Sequence, residues 1–143
     1  MSVNAKPRIT VEPNAATADL DTVGKGLRAF NVAVIGEPNE QPVHILLRDA
    51  TDTVVGGLIG HIKWRWLYVA KLWLRDDFRG RGLGAELLRA AEDLARAQGC
   101  IGAYLDTFEY QARPFYEKLG YELFGTLEGF PPGYRQYFLS KRL

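Results

Sequence analysis

The feature that most constrains this chain is the passage from an apolar strand, through a glycine-rich turn, into an amphipathic helix. Trp66 to Leu74 is a dense apolar and aromatic run broken only by Lys71, which predicts a strand. Arg75-Asp76-Asp77-Phe78-Arg79 then leads into Gly80-Arg81-Gly82-Leu83-Gly84. Beyond it Leu83, Leu87, Leu88, Ala91, Leu94 and Ala95 form one apolar stripe at helical spacing, with Glu86, Arg89, Glu92, Asp93 and Arg96 on the wet face. Gly99 is placed to end this helix as a left-handed cap. Ile101 to Leu105 is a short apolar strand, and the strand-helix-strand unit so formed pairs its strands in parallel.

A turn of this kind gathers backbone N–H groups and the positive end of a helix dipole around one small volume, which suits an anion such as phosphate. Glycine lets ligand oxygens approach the amides and tolerates positive φ. Arg79 and Arg81 add charge at the rim. No Gly-Lys-Ser or Gly-Lys-Thr follows, which excludes a Walker A loop. Gly80-x-Gly82-x-x-Ala85 formally fits a dinucleotide fingerprint, with Asp106 as the ribose-binding acid. The charged spacer before the glycines and the antiparallel elements upstream argue against it.

Those upstream elements are a short strand at Ile9 to Val11, a helix marked by Leu20, Val23, Leu27 and Phe30 and weakened by Gly24 and Gly26, and a polar loop from Asn31 to Pro42. Val43 to Arg48 and Val54 to Lys63 read as a hairpin turning at Asp49-Ala50-Thr51-Asp52. Downstream, Pro114 suits the first position of a short helix with Phe115, Tyr116 and Leu119 inward and Gly120 as its stop. Tyr121 to Leu127 and Tyr134 to Leu139, separated by Gly129 and Pro131-Pro132-Gly133, read as two more strands. The expected fold is α+β over residues 1–143 as a single domain. It has a mixed, largely antiparallel central sheet of about six to seven strands, flanked by helices, with one parallel strand-helix-strand unit.

The 143 residues carry 18 Lys and Arg against 17 Asp and Glu, so there is no electrostatic footprint for nucleic acid or an anionic membrane. Met1 to Arg8 lacks the apolar core of a signal peptide, and Val54 to Ile62 is too short and too interrupted to span a bilayer. A lone Cys100 cannot pair within the chain, and His44 and His61 make no zinc spacing, so no metal is expected. The expectation from these observations is a cytoplasmic protein.

Arg79-x-x-Gly82-x-Gly84, after Leu72-Trp73-Leu74 and before a helix, resembles the Arg/Gln-x-x-Gly-x-Gly/Ala signature of the GNAT acetyltransferase superfamily. Phe115-Tyr116-Glu117-Lys118-Leu119-Gly120-Tyr121, preceded by Ala112, resembles the downstream motif of the same superfamily. Together the two motifs cover about Leu67 to Tyr121. The resemblance implies acetyl-coenzyme A as donor, with its pyrophosphate on the amides of Arg79, Gly80, Arg81, Gly82, Gly84 and Ala85. It implies a pantetheine arm along the backbone of Leu72 and Leu74, and a bulge that splays this strand from its parallel neighbour. A backbone N–H near Leu74 is implied to polarise the acetyl carbonyl, and Tyr116 to act as the general acid that protonates the departing sulfur.

The base stays open between Glu109, Asp106 and water. Glu109 stands where the superfamily often has an asparagine for the pantetheine arm, a role that Gln111 is placed to take. The function so implied is transfer of an acetyl group to a primary amine of a small molecule or a protein. The alternative is a non-catalytic module that binds an acyl-coenzyme A. A homodimer is compatible with either. The Asn31 to Pro42 loop and the Gly129 to Gly133 turn are expected to frame the acceptor pocket.

Overall fold

The computed structural model describes residues 5–143; the beginning of the segment read for a leader, Met1–Asn4, lies outside them. The chain divides into two compact units, Met1–Glu37 and Pro38–Leu143. The first holds helix α1, Thr17–Ile35, closed by Gly36 at φ 85°, whose N–H donates to the Val32 carbonyl. The helix runs five residues further than its apolar markers suggest. Asn31 to Ile35 is therefore helical and the expected loop shrinks to residues 36–40. Ile9 to Val11 is not a strand: it is exposed and pairs with no ladder, and a strand exists only against a neighbour.

The second unit is a six-stranded sheet made of β1 (Gln41–Arg48), β2 (Val54–Lys63), β3 (Trp66–Leu74), β4 (Gly102–Phe108), β5 (Glu122–Glu128) and β6 (Arg135–Arg142), in spatial order β1-β2-β3-β4-β6-β5. Only β3 and β4 run parallel, joined through α2 (Leu83–Ala97); the other neighbours are antiparallel. This is the mixed α+β architecture expected. The short helix α3, Arg113–Lys118, carries Pro114 in its first turn as expected. Val43, Leu58, Leu67, Val69, Leu105 and Leu139 from one face of the sheet meet Leu87, Leu88, Ala91 and Ala95 of α2 and Tyr116 of α3 in one core.

One charged group sits inside this core. Glu92, expected on the wet face of α2, is 2% exposed. The Tyr121 hydroxyl donates to it at 2.7 Å, and the Lys141 ammonium at 3.0 and 3.1 Å. Both partners lie far along the chain, so helical spacing alone could not reveal them. The pair compensates the desolvation of the carboxylate, and its burial with the Glu92 hydrogen bond pushes the Tyr121 phenol well above its ordinary range.

The register of β3 decides where the sheet opens. From Gly56↔Leu74 to Ile59↔Lys71 the antiparallel pairing with β2 is regular; it then resumes as Gly60↔Val69, so Ala70 is an extra residue, a bulge. Gly60 faces it, and a Cβ there would lie 2.0 Å from the Tyr68 carbonyl oxygen. No side chain fits that contact without moving backbone. A Gly60→Ala protein is expected to lose about 2–3 kcal/mol of stability, measured by chemical denaturation.

Candidate active site

Beyond the bulge, β3 and β4 part. Their parallel ladder runs from Trp66↔Gly102 to Val69↔Leu105 and stops, whereas β4 keeps pairing with β6 as far as Phe108↔Gln136. Into the opening falls a cavity of about 510 Å3 lined by Leu72, Trp73, Leu74, Arg79, Gly84, Asp106, Thr107, Gln111, Ala112, Phe115 and Tyr116. That volume is within the range of small-molecule sites. The bulge expected from the resemblance is present.

The glycine turn sits at one end of the opening. Gly80 and Gly82 have φ of 74° and 78°, the left-handed region where a side chain is strained, and nothing stands within 4 Å of where their Cβ atoms would be. Gly82 is the N-cap of α2 and no side chain caps the helix, so the first-turn amides, among them those of Gly84 and Ala85, have no capping side chain. Gly84 has a different reason to be glycine: a Cβ would lie 3.3 Å from the Phe115 ring, so α2 and α3 meet through it.

The two arginines divide. Arg79 is exposed but tied back: its Nε donates to the Leu74 carbonyl at 3.0 Å and its guanidinium pairs with Asp76 at 2.9 Å, joining the turn to the end of β3. Arg81 stays exposed, its guanidinium 5.0 Å from the Phe78 ring centroid. Both arginines are exposed at the turn, and Arg79 also lines the cavity.

Tyr116 is buried among Phe115 and Tyr121, with ring centroids 5.0 and 6.0 Å away, and it lines the cavity. Burial, with the Asp106 charge second, pushes its phenol up to about 12, so it is protonated at neutral pH. Asp106 approaches from β4, held by the Tyr68 hydroxyl at 2.6 Å and by Gln136 Nε2 at 2.9 Å. Neither partner stands out in the sequence, because their strands meet only through the sheet order. Two neutral donors orient this carboxylate and no cation neutralises it in these contacts, so a positive charge is favoured beside it.

Glu109 goes elsewhere. It accepts from Arg135 and from the Tyr137 hydroxyl, each at 3.4 Å, and lines a second cavity of about 330 Å3 with Glu128, Gly129, Gly133, Tyr134 and Arg135. The Gly129 to Gly133 turn therefore frames that cavity, while residues 38–42 line neither. Gln111 does line the first: its Oε1 accepts from the Phe108 N–H at 2.9 Å and from the Thr107 hydroxyl at 3.0 Å, which leaves its amide nitrogen as a donor at the wall. Among the described residues no group of His, Cys, Asp or Glu is arranged to hold a metal ion, and no helix is long and apolar enough to cross a membrane.

A mixed sheet that opens along its one parallel pair, with a glycine turn and helix N-terminus at the mouth, defines a class of acyl-transferring α+β proteins. Residues 19–121 match the sequence profile described as the Acetyltransferase (GNAT) family, and the chain belongs to that family. It is 43% identical over 91 residues to the blasticidin-S acetyltransferase of Streptomyces morookaense, covering 63% of this chain and 67% of that protein. An acetyltransferase of Agrobacterium fabrum is 39% identical over 116 residues, 81% of this chain and 85% of its own. A crystal structure from Agrobacterium tumefaciens superposes with a TM-score of 0.88 at 34% identity, covering 96% of this chain and all of that one.

The electrostatics can be tested without a ligand. Tyr68 is also raised to about 12, chiefly by its hydrogen bond to Asp106. Spectrophotometric titration should show these two phenols ionising near pH 12, against about 10 for an ordinary tyrosine, and Asp106→Asn should bring both down. Because the folded values are the raised ones, their contribution to stability is complete below about pH 10 and disappears as pH climbs through 12. A protein whose tyrosines all ionise near 10, with or without Asp106, contradicts this.

Proposed function

We propose that the chain is an N-acetyltransferase that moves the acetyl group of acetyl-coenzyme A directly to a primary amine of a small molecule or protein. The observation that carries this reading is the opening between β3 and β4, with Tyr116 and Asp106 on its walls and the glycine turn at its mouth. An amide-rich turn favours the donor's pyrophosphate. The strand edge released beyond Val69 suits an extended pantetheine arm, as an added strand would, with Leu72 and Leu74 contributing backbone and Gln111 its amide. No described metal group is needed for either contact.

In the chemical step a neutral amine nitrogen attacks the thioester carbon, a C–N bond forms and the C–S bond breaks. The sulfur leaves with the electron pair of that bond. A phenol near 12 is a weaker acid than a thiol, which ionises at about 8.5. Tyr116 therefore works first as a hydrogen-bond donor to the developing thiolate, and the proton that the amine loses restores the thiol. Asp106 attracts and orients the cationic acceptor before it deprotonates, with water as the carrier of the proton. Of the carboxylates considered as a base, Asp106 is favoured by its position in the cavity, whereas Glu109 is engaged with Arg135.

Tyr116→Phe should keep coenzyme A affinity and melting temperature while slowing single-turnover transfer roughly 100-fold or more. A full rate in that protein removes Tyr116 from the mechanism. Gly82→Val forces a β-branched residue to φ near 78° and should weaken coenzyme A binding at least about tenfold, or 1.4 kcal/mol, by calorimetry. An unchanged affinity contradicts the assignment of the turn. With an amine panel, Asp106→Asn should depress kcat/KM for cationic acceptors at least about tenfold while donor affinity stays within about threefold.

A further inference from the structure

Four aromatic side chains of the Pro38–Leu143 unit, Phe108, Tyr110, Phe130 and Tyr134, belong neither to its core nor to the hydrophobic groups packed against that core. They pack on one another instead. Phe108 and Tyr110 stack with centroids 5.6 Å and planes 11° apart, Phe130 lies 5.6 Å from Phe108, and Tyr134 meets Tyr110 edge-on at 5.1 Å. Two of the rings come from the end of β4 and the loop after it, and two from the turn between β5 and β6. That turn is already closed by its backbone: the Gly129 N–H donates to the Tyr134 carbonyl and the Tyr134 N–H to the Pro131 carbonyl, each at 2.8 Å. Folding the turn does not call for a row of rings.

The array starts beside the cavity between β3 and β4. Gln136 stands directly across the ladder from Phe108 and reaches diagonally to the Asp106 carboxylate at 2.9 Å. The carboxylate and the first ring therefore share one face of the sheet, two residues or about 7 Å apart along β4. Asp106 lines the first cavity and Tyr134 the second, so the rings run from one to the other. In the second cavity Glu109 and Glu128 flank Arg135 at 3.4 and 2.9 Å, two carboxylates to one guanidinium. The surplus charge is negative, which favours N–H groups and disfavours a carboxylate there.

We propose that this array is the specificity subsite for the acceptor, and that the acceptor is a primary amine joined by a short chain to a flat aromatic or heteroaromatic group. The amine rests at Asp106 and the flat group lies against Tyr110 and Tyr134. This rests on the acetyltransferase reading and adds the class of acceptor to it. An aliphatic amine of equal length keeps the contact with Asp106 and loses the match between ring faces and edges, so the subsite discriminates flat groups from puckered ones rather than long from short.

The test compares 3-phenylpropylamine with 3-cyclohexylpropylamine, equal in charge and chain length, by thiol release from acetyl-coenzyme A. The phenyl amine should have the higher kcat/KM by at least about fivefold, the worth of an aromatic pair. Tyr110→Leu and Tyr134→Leu should each reduce that ratio to about twofold or less, with kcat/KM for the cyclohexyl amine and coenzyme A affinity within about threefold of the parent. Tyr134→Phe keeps the ring and should keep the ratio, an outcome that a role confined to the hydroxyl does not give. Without any variant, 3-phenylpropylamine added to the wild type with coenzyme A should shift the ring resonances of Tyr110 and Tyr134 saturably, and absence of such shifts overturns the proposal. Equal use of both amines overturns it while the acetyltransferase reading stands. A ratio that survives both leucine variants overturns it too and places the flat group on Trp73 in the first cavity. Absence of thiol release with both amines also overturns it: retained coenzyme A affinity then confines the failure to the acceptor, and lost affinity extends it to the reading beneath.

Discussion

The opening in the sheet depends on one extra residue. Ala70 bulges from β3, and the bulge exists because Gly60 lets the Tyr68 carbonyl come where a side chain would otherwise be. A regular β3 would follow β4 to its end and leave the sheet closed. With the bulge, the parallel ladder stops at Val69 and Leu105, and the cavity is made from what that pairing gives up. The energetic logic is local: a few ladder hydrogen bonds are left for a ligand to make, while β4 stays paired with β6 along its whole length.

This opening separates two kinds of chemistry. On the side of α2 and α3 stand amides without capping side chains, Arg81, and a buried phenol, an environment suited to negative charge and a departing sulfur. From the opposite side comes a carboxylate aimed by Tyr68 and Gln136, an environment suited to positive charge. In the proposed reading an anionic donor and a cationic acceptor therefore approach from different faces and meet where the strands part. The Asp106 charge also helps keep Tyr116 protonated, so the two walls are coupled electrostatically.

The sequence is most legible where structure is set by neighbours along the chain. The apolar run of β3, the glycines of the turn and the stripe of α2 together announce the parallel unit, and the elements fall within a few residues of expectation. What depends on distant partners is hidden. Glu92 looks like a surface residue because Tyr121 and Lys141 lie far downstream, and the hydrogen bond from Arg79 to the Leu74 carbonyl is hidden because it needs the turn already folded. Asp106 and Glu109 are equivalent by sequence; only the β4–β6 register sends one to Gln136 and the other to Arg135. The end of α1 reads as loop because Gly36, Pro38 and Asn39 dominate the segment from Asn31 to Pro42, although Val34 continues the spacing of Leu27 and Phe30 and the helix carries on to Ile35.

The central claim is that the space between β3 and β4 receives the donor, and amide chemical shifts during titration with coenzyme A test it most directly. The account predicts saturable changes concentrated at residues 70–74 on the released edge of β3 and at Leu83 to Ala85 in the first turn of α2. Saturable changes confined to the second cavity, around Gly129 to Arg135, or no saturable change at all, would contradict it.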